Sequence, residues 1–368
     1  MPDLPEFVFF TCQVGAEPAL KHELAREWPL LRFAYSRPGF LTFKRPLKLH
    51  LPDNFADRLV FARAAGFCLG KASGTTTAKR TESVWRLWHN LPVTRLHVWP
   101  RDKFSPGFHG YEPGTTPAAL EVERVIREAG QMHSPNSASS APVLHKREKD
   151  VVPSIQTGPD GDGPLIGDVI IVDENEWWVA YHREHSLVST WPGGFLQADL
   201  PPEVVSRAWL KMHEALLWSE FRLKRRQSCV EIGSAPGGAA QCLLARGLDV
   251  IGIDPARMDP VLLADPHFRH ILKRAKEVPR RAFVGVDWLT CDINLPPNYT
   301  LDAVKAIVAH PGVRFKGLLL TLKLVEWTLA AEIPKFLERI HSWGYRHVRA
   351  RQLHHNRQEI CVAASRRV

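Results

Sequence analysis

Val230-Glu231-Ile232-Gly233-Ser234-Ala235-Pro236-Gly237-Gly238 leads directly into the largely apolar run Ala239–Ala245. A short β-branched run reads as a strand, the glycines as a tight turn, and the run behind them as a helix. Glycine lets the backbone approach a ligand closely, and a helix N-terminus offers free N–H groups to it. The string is GxxPGG, which departs from the GxGxxG of a dinucleotide fingerprint. Asp254 stands at the end of the next apolar run, where a carboxylate can accept hydrogen bonds from a ribose diol. Gly233, Ser234, Ala235, Pro236, Gly237, Gly238 and Asp254 are therefore the candidate cofactor-binding residues. An ordinary glycine-rich turn between a strand and a helix is the plain alternative.

Outward from this turn, short apolar runs recur at Cys229–Ile232, Val250–Ile253, Asp287–Cys291, Gly317–Leu322 and Ile360–Ala364, most of them separated by helical stretches. Alternating strands and helices imply a mainly parallel, doubly wound α/β sheet. A helix is expected ahead of it over Pro202–Lys224, carrying Val205, Trp209, Met212 and Leu216. The N-terminal part reads as a smaller α+β region. Phe7–Cys12 is strand-like, Pro18–Trp28 has helical spacing, Arg32–Phe43 turns at Pro38-Gly39, and Leu96–Trp99 is a further strand. Between Ser105 and Pro164, Gly, Pro, Ser and Thr dominate, with one helical island at Thr116–Gly130. Such a composition buries too little apolar surface to offset its chain entropy. The expected organisation is 1–104 as an α+β region, 105–164 as a largely flexible insertion or linker, 165–200 as connecting strands of the N-terminal region and 201–368 as the doubly wound domain.

The chain of 368 residues is 45% hydrophobic and 24% charged, an ordinary globular mix. No apolar run reaches the length of a membrane span, and no export signal opens the sequence, so a cytoplasmic protein is expected. The six cysteines never form a CxxC pair, so neither a disulfide framework nor a structural zinc site is expected. The net charge of +9 suits a phosphate-rich partner such as RNA, without proving one.

Four further charged residues stand out. Asp292 closes Trp288-Leu289-Thr290-Cys291-Asp292, and Lys323 ends the apolar strand Leu318–Leu322. Glu359 leads into the final strand, and Lys211 lies on the helix before the glycine turn. A lysine ending a buried strand is costly unless its charge is used or paired. Ligands in open α/β sheets lie beyond the carboxyl ends of the strands, where Asp292 and Lys323 fall. Taken singly, each of the four also reads as a helix cap or a solvated surface charge.

Together the turn and these four residues resemble the FtsJ-type ribose 2′-O-methyltransferases. The Lys–Asp–Lys–Glu set of those enzymes falls in chain order on Lys211, Asp292, Lys323 and Glu359. Ser206–Lys211, Thr321–Leu324 and Ala350–Glu359 are similar in particular to the bacterial large-subunit ribosomal RNA methyltransferase M family, which modifies a cytidine ribose in 23S rRNA. The resemblance covers residues 200–368. Phe61-Ala62-Arg63 and the opening strand, Gly15 and helix are similar to that family's N-terminal part, which is ferredoxin-like with a THUMP RNA-binding module.

The resemblance implies a Rossmann-like domain that uses S-adenosylmethionine, needs no metal, and methylates a ribose hydroxyl of RNA, most simply ribosomal RNA. Lys323, its pKa lowered by burial or neighbouring cations, would take the hydroxyl proton. Asp292 would orient Lys323 and lie near the sulfonium, while Lys211 and Glu359 position the ribose. Arg207, Lys224, Arg351 and Arg357 are candidate phosphate contacts. The sequence departs from the family at Ala275, where an acidic residue usually contacts the adenine, and 105–164 has no clean THUMP pattern. A nicotinamide-dependent oxidoreductase and a non-catalytic RNA-binding relative remain open alternatives, as does the oligomeric state.

Overall fold

The computed structural model describes residues 4–130 and 163–366, and these divide into two compact units, Met1–Ala198 and Asp199–Val368. In the first unit the elements run β1 (Phe7–Thr11), α1 (Glu17–Glu27), β2 (Arg32–Arg37), β3 (Phe40–Lys44), β4 (Ala64–Ala72), α2 (Thr77–Leu87), β5 (Val93–Pro100), α3 (Pro117–Ala129), β6 (Leu165–Asp173) and β7 (Glu176–Arg183). The strands form one seven-stranded sheet in the order β2-β3-β1-β4-β7-β6-β5. Its pairings are antiparallel except β5 with β6.

Local chemistry sets these boundaries. Thr76 and Thr116 cap α2 and α3, their hydroxyls accepting from the N–H groups of Lys79 and Ala119. The helices α2 and α3 cover one face of the sheet, with Val84, Trp88, Ala119 and Ile126 packed on Val98, Val169 and Val179. The segment 105–164 therefore contributes α3 to a core at its N-terminal end. Residues 131–162 of it lie outside the described residues. The strands expected within 165–200 are β6 and β7, which belong to the same N-terminal sheet.

The second unit runs α4 (Ala208–Ser219), β8 (Ser228–Ile232), α5 (Gly238–Ala245), β9 (Asp249–Ile253), α6 (Pro260–Leu263), β10 (Phe268–Ile271), β11 (Trp288–Cys291), α7 (Pro297–Val308), β12 (Gly317–Lys323), α8 (Ile333–His341), β13 (His347–Arg351) and β14 (Glu359–Ser365). The sheet order is β10-β9-β8-β11-β12-β14-β13. The pairs from β10 to β12 are parallel, and β14 runs antiparallel between β12 and β13. This is the doubly wound α/β sheet that the alternating pattern implies.

The helix expected over Pro202–Lys224 is shorter than its apolar spacing suggested. Residues 201–207 form turns, with no regular helix until Ala208, and Glu220 at φ 55° ends α4 in a left-handed conformation. The six cysteines are all buried and free. Among the described residues no helix is long and apolar enough to cross a membrane.

Candidate active site

The chain runs from β8 through β9 to the edge strand β10, then returns to β11 on the other side of β8. The crevice beyond the carboxyl ends of β8 and β11 is thus the topological switch point, the default ligand site of such sheets. The glycine turn follows β8 and Asp292 follows β11, so both stand at this crevice. Their backbones are pressed together: a Cβ on Gly233, at φ +82°, would come 2.3 Å from the Asp292 carbonyl oxygen. Gly237 at φ +126° starts α5. A Cβ on Gly238 would strike Ser206 just upstream of α4.

Side chains brace the turn from beneath. The Ser234 hydroxyl donates to Glu231 Oε2 at 2.6 Å. Glu231 is 2% exposed, and burial pushes its carboxyl up to about 8. At the tip of β9, Asp254 accepts from the backbone N–H of Ala235 (3.1 Å) and of Ala256 (2.7 Å). Two backbone bonds fix this carboxylate and leave it lone pairs for a ligand's hydroxyls.

Lys211 from α4, Asp292 after β11, Lys323 at the end of β12 and Glu359 at the start of β14 converge at the same edge. Antiparallel pairing places Lys323 directly opposite Glu359. Lys211 Nζ lies 2.5 Å from Asp292 Oδ2 and 2.5 Å from Glu359 Oε1. Lys323 Nζ lies 2.8 Å from Asp292 Oδ1 and is also paired with Glu359 Oε2. The four groups close a ring of alternating charge.

This ring corrects one sequence expectation. Burial alone would lower the pKa of Lys323, but the charges and hydrogen bonds of Asp292 and Glu359 outweigh it and raise it instead. Burial likewise pushes the Asp292 carboxyl up, yet Lys211 and Lys323 hold it below the usual carboxylate range. Paired with both carboxylates, Lys323 is an ammonium, not a lysine poised to accept a proton.

Residues 204–338 match the family model of the FtsJ-like methyltransferases. The C-terminal unit carries an FtsJ-like methyltransferase domain. Curated relatives agree. The ribosomal RNA large subunit methyltransferase M of Hahella chejuensis is 27% identical over 285 residues, 72% of this chain and 69% of its own. The proteins of the same name from Halorhodospira halophila and Methylococcus capsulatus are 31% and 32% identical, over 48% and 46% of this chain. The chain spans about half the length of those two relatives.

Within the methyltransferase domain the four arginine and lysine candidates separate. Arg207 precedes Lys211 by one helical turn at the start of α4. Arg351 ends β13 and Arg357 lies in the loop that returns to Glu359, both at the carboxyl edge of the sheet. Lys224 precedes β8 and so lies at the opposite edge, one strand length, roughly 15 Å, from the glycine turn. The apolar spacing around Lys224 gave no indication of which end of the strand it would occupy. Ala275 opens a short 3-10 turn after β10, its carbonyl accepting from Arg280, and presents no carboxylate.

Sequence reading singled out the stretch Ala350–Glu359 but gave no role to the residues from Gln352 to Asn356. Glu214, 1% exposed on α4, accepts from the backbone N–H of His354 (2.7 Å) and His355 (2.8 Å). The buried Asn356 side chain accepts from Leu353 N–H and donates to Glu359 Oε1 at 3.3 Å. Lys211 and Glu214 share one face of α4, three residues apart. One helix thus supplies a member of the ring and the clamp on the loop that aims another.

Proposed function

We propose that this domain transfers a methyl group from S-adenosylmethionine to a ribose 2′-hydroxyl of RNA, with ribosomal RNA as the substrate class that the relatives' names indicate. The observation that carries the reading is the closed Lys211–Asp292–Lys323–Glu359 ring at the switch point beside the glycine turn. The residues present suit the methyl donor. The backbone at Gly233 leaves no room for a side chain, the start of α5 offers N–H groups, and Asp254 is fixed with lone pairs to spare. S-adenosylmethionine, when bound, supplies a methyl group already activated on a sulfonium.

The chain's residues then have to orient the hydroxyl and take its proton. Asp292 would share its charge between a cationic donor and Lys323, which weakens what keeps the proton on the lysine. Glu359, held by Asn356 and Lys211, keeps Lys323 in place at the hydroxyl. Lys323, once it has given its own proton to solvent, would accept the hydroxyl proton, so that the oxygen could take the methyl group as the methyl's bond to the donor sulfur breaks. Arg207, Arg351 and Arg357 hold the phosphates at the same edge. The test is transfer of labelled methyl into RNA with the wild-type chain and with Lys323→Ala. The variant is expected to bind the donor and transfer nothing measurable, and full transfer would remove Lys323 from the reaction.

A further inference from the structure

A second cluster lies in the N-terminal unit, on residues that have no part in the ring. Register sets it up: His97 on β5 stands directly opposite Asp168 on β6, and Asp168 stands opposite Ala180 on β7. His182, two residues on from Ala180, is therefore the diagonal neighbour of Asp168 on the same face. Asp168 is fully buried, His97 is 6% exposed and His182 is half-buried. One ligand atom from each lies within 4.8 Å of the others.

The hydrogen bonding leaves a positive charge missing. His182 Nε2 is 2.8 Å from the Ser189 carbonyl oxygen, so Nε2 carries the ring's hydrogen. Its Nδ1 lies 2.6 Å from Asp168 Oδ2. In a neutral ring that places a lone pair against a carboxylate. His97 repeats the pattern, since its ring bonds the backbone of Thr190 while Nδ1 has no partner. The atom nearest in charge to satisfy it, Asp168 Oδ1, is 3.8 Å away and also has none.

A proton on His182 would satisfy that ring alone and leave His97 Nδ1 and Asp168 Oδ1 buried and unpaired, which is costly. A cation bound to all three satisfies both rings and the carboxylate. Histidines that give their outer N–H to a backbone carbonyl and turn the other nitrogen to a shared centre are arranged as metal ligands are.

We propose that His97 Nδ1, His182 Nδ1 and the Asp168 carboxylate bind one divalent first-row metal ion, best matched by zinc. Two imidazoles and a carboxylate suit zinc, with a water completing the tetrahedron. Ligand atoms about 2.1 Å from such a centre lie roughly 3.4 Å apart, so the 2.6 Å contact of His182 Nδ1 with Asp168 Oδ2 would open to that distance while the remaining ligand atoms, within 4.8 Å of one another, close to it. The ion would tie β5, β6 and β7 to the turn at Val188–Thr190. The ligands are dispersed at 97, 168 and 182, so no sequence motif marks the site.

The full chain, stripped by chelator, should take up about one equivalent of Zn(II) per chain. Its Tm should rise by about 5–10 °C at a hundredfold excess over Kd. Co(II) should give the visible absorption of nitrogen and oxygen ligation. Asp168→Asn should lose the bound metal. His97→Gln, which leaves the His182–Asp168 pair intact and so should fold, should weaken zinc affinity at least tenfold. A folded wild-type chain that takes up no stoichiometric zinc, with Tm unmoved by zinc or chelator, overturns the proposal. So does His97→Gln binding zinc as tightly as wild type.

Discussion

Lys323 illustrates how one neighbour can reverse a rule drawn from burial. Two carboxylates within bonding distance raise its pKa, so it enters the reaction as an ammonium that must first lose its proton. Methyl transfer should therefore climb with pH through the neutral and mildly alkaline range, by about tenfold per unit while the protonated form dominates. A flat pH–kcat profile from 6 to 9 would contradict Lys323 as the acceptor. Asn356 touches no reacting atom in this account and acts through Glu359. Asn356→Ala is expected to lower kcat about tenfold with KM for RNA nearly unchanged, and an effect on KM alone would assign it another role. The four charged residues of the ring were picked out in the sequence by the resemblance to the Lys–Asp–Lys–Glu order of the FtsJ-type enzymes, since each taken singly also read as a cap or a surface charge. Glu214 was not, because its partners are the backbone N–H groups of His354 and His355, about 140 positions away and brought near only by the fold. Asn356 was not, because its local bonds to Leu353 and Glu359 follow no motif that marks an amide as functional.

At the level of elements, β8 and its turn carry the most consequence. Gly233→Ala adds a Cβ at a positive φ, 2.3 Å from the Asp292 carbonyl. It should separate β8 from β11 at the site and abolish binding of S-adenosylmethionine, measured by calorimetry. Beneath the turn, Glu231 has a folded pKa of about 8, above its unfolded value. The folded state then binds the extra proton between about pH 4.5 and 8, and stability falls as pH rises through that window. In Glu231→Gln this contribution should vanish, so the Tm difference between variant and wild type should change steadily from pH 5 to 8. A constant difference would show that Glu231 titrates normally. The strands β8, β9, β11, β12 and β14 were legible as apolar runs, within a residue at their ends, whereas the two edge strands β10 and β13, which carry charged residues, were not. The turns over 201–207 were not, because their apolar spacing continues the helical pattern of α4 while the backbone does not.

Across the whole molecule, the basic balance is a statement about partners rather than fold. RNA affinity should fall linearly on a log–log plot against salt. The position of each charge on the sheet decides its part in that slope. Arg207→Glu, one turn from Lys211, should weaken RNA binding and methylation, whereas Lys224→Glu at the far edge should leave methylation unchanged. Equal losses from both would mean that RNA covers both edges. The two-unit organisation was legible from the change in sequence style near residue 200. Less legible was the continuity of the N-terminal sheet, since β6 and β7 reach β4 and β5 across more than sixty intervening positions. The central claim is that the Lys211–Asp292–Lys323–Glu359 ring directs methyl transfer to a ribose oxygen. Labelled S-adenosylmethionine, ribosomal RNA and mapping of the labelled nucleotide test it most directly. The account predicts label on one ribose 2′-oxygen with the wild-type chain and none with Lys323→Ala that still binds the donor, and label on a base, or undiminished transfer by the variant, would contradict it.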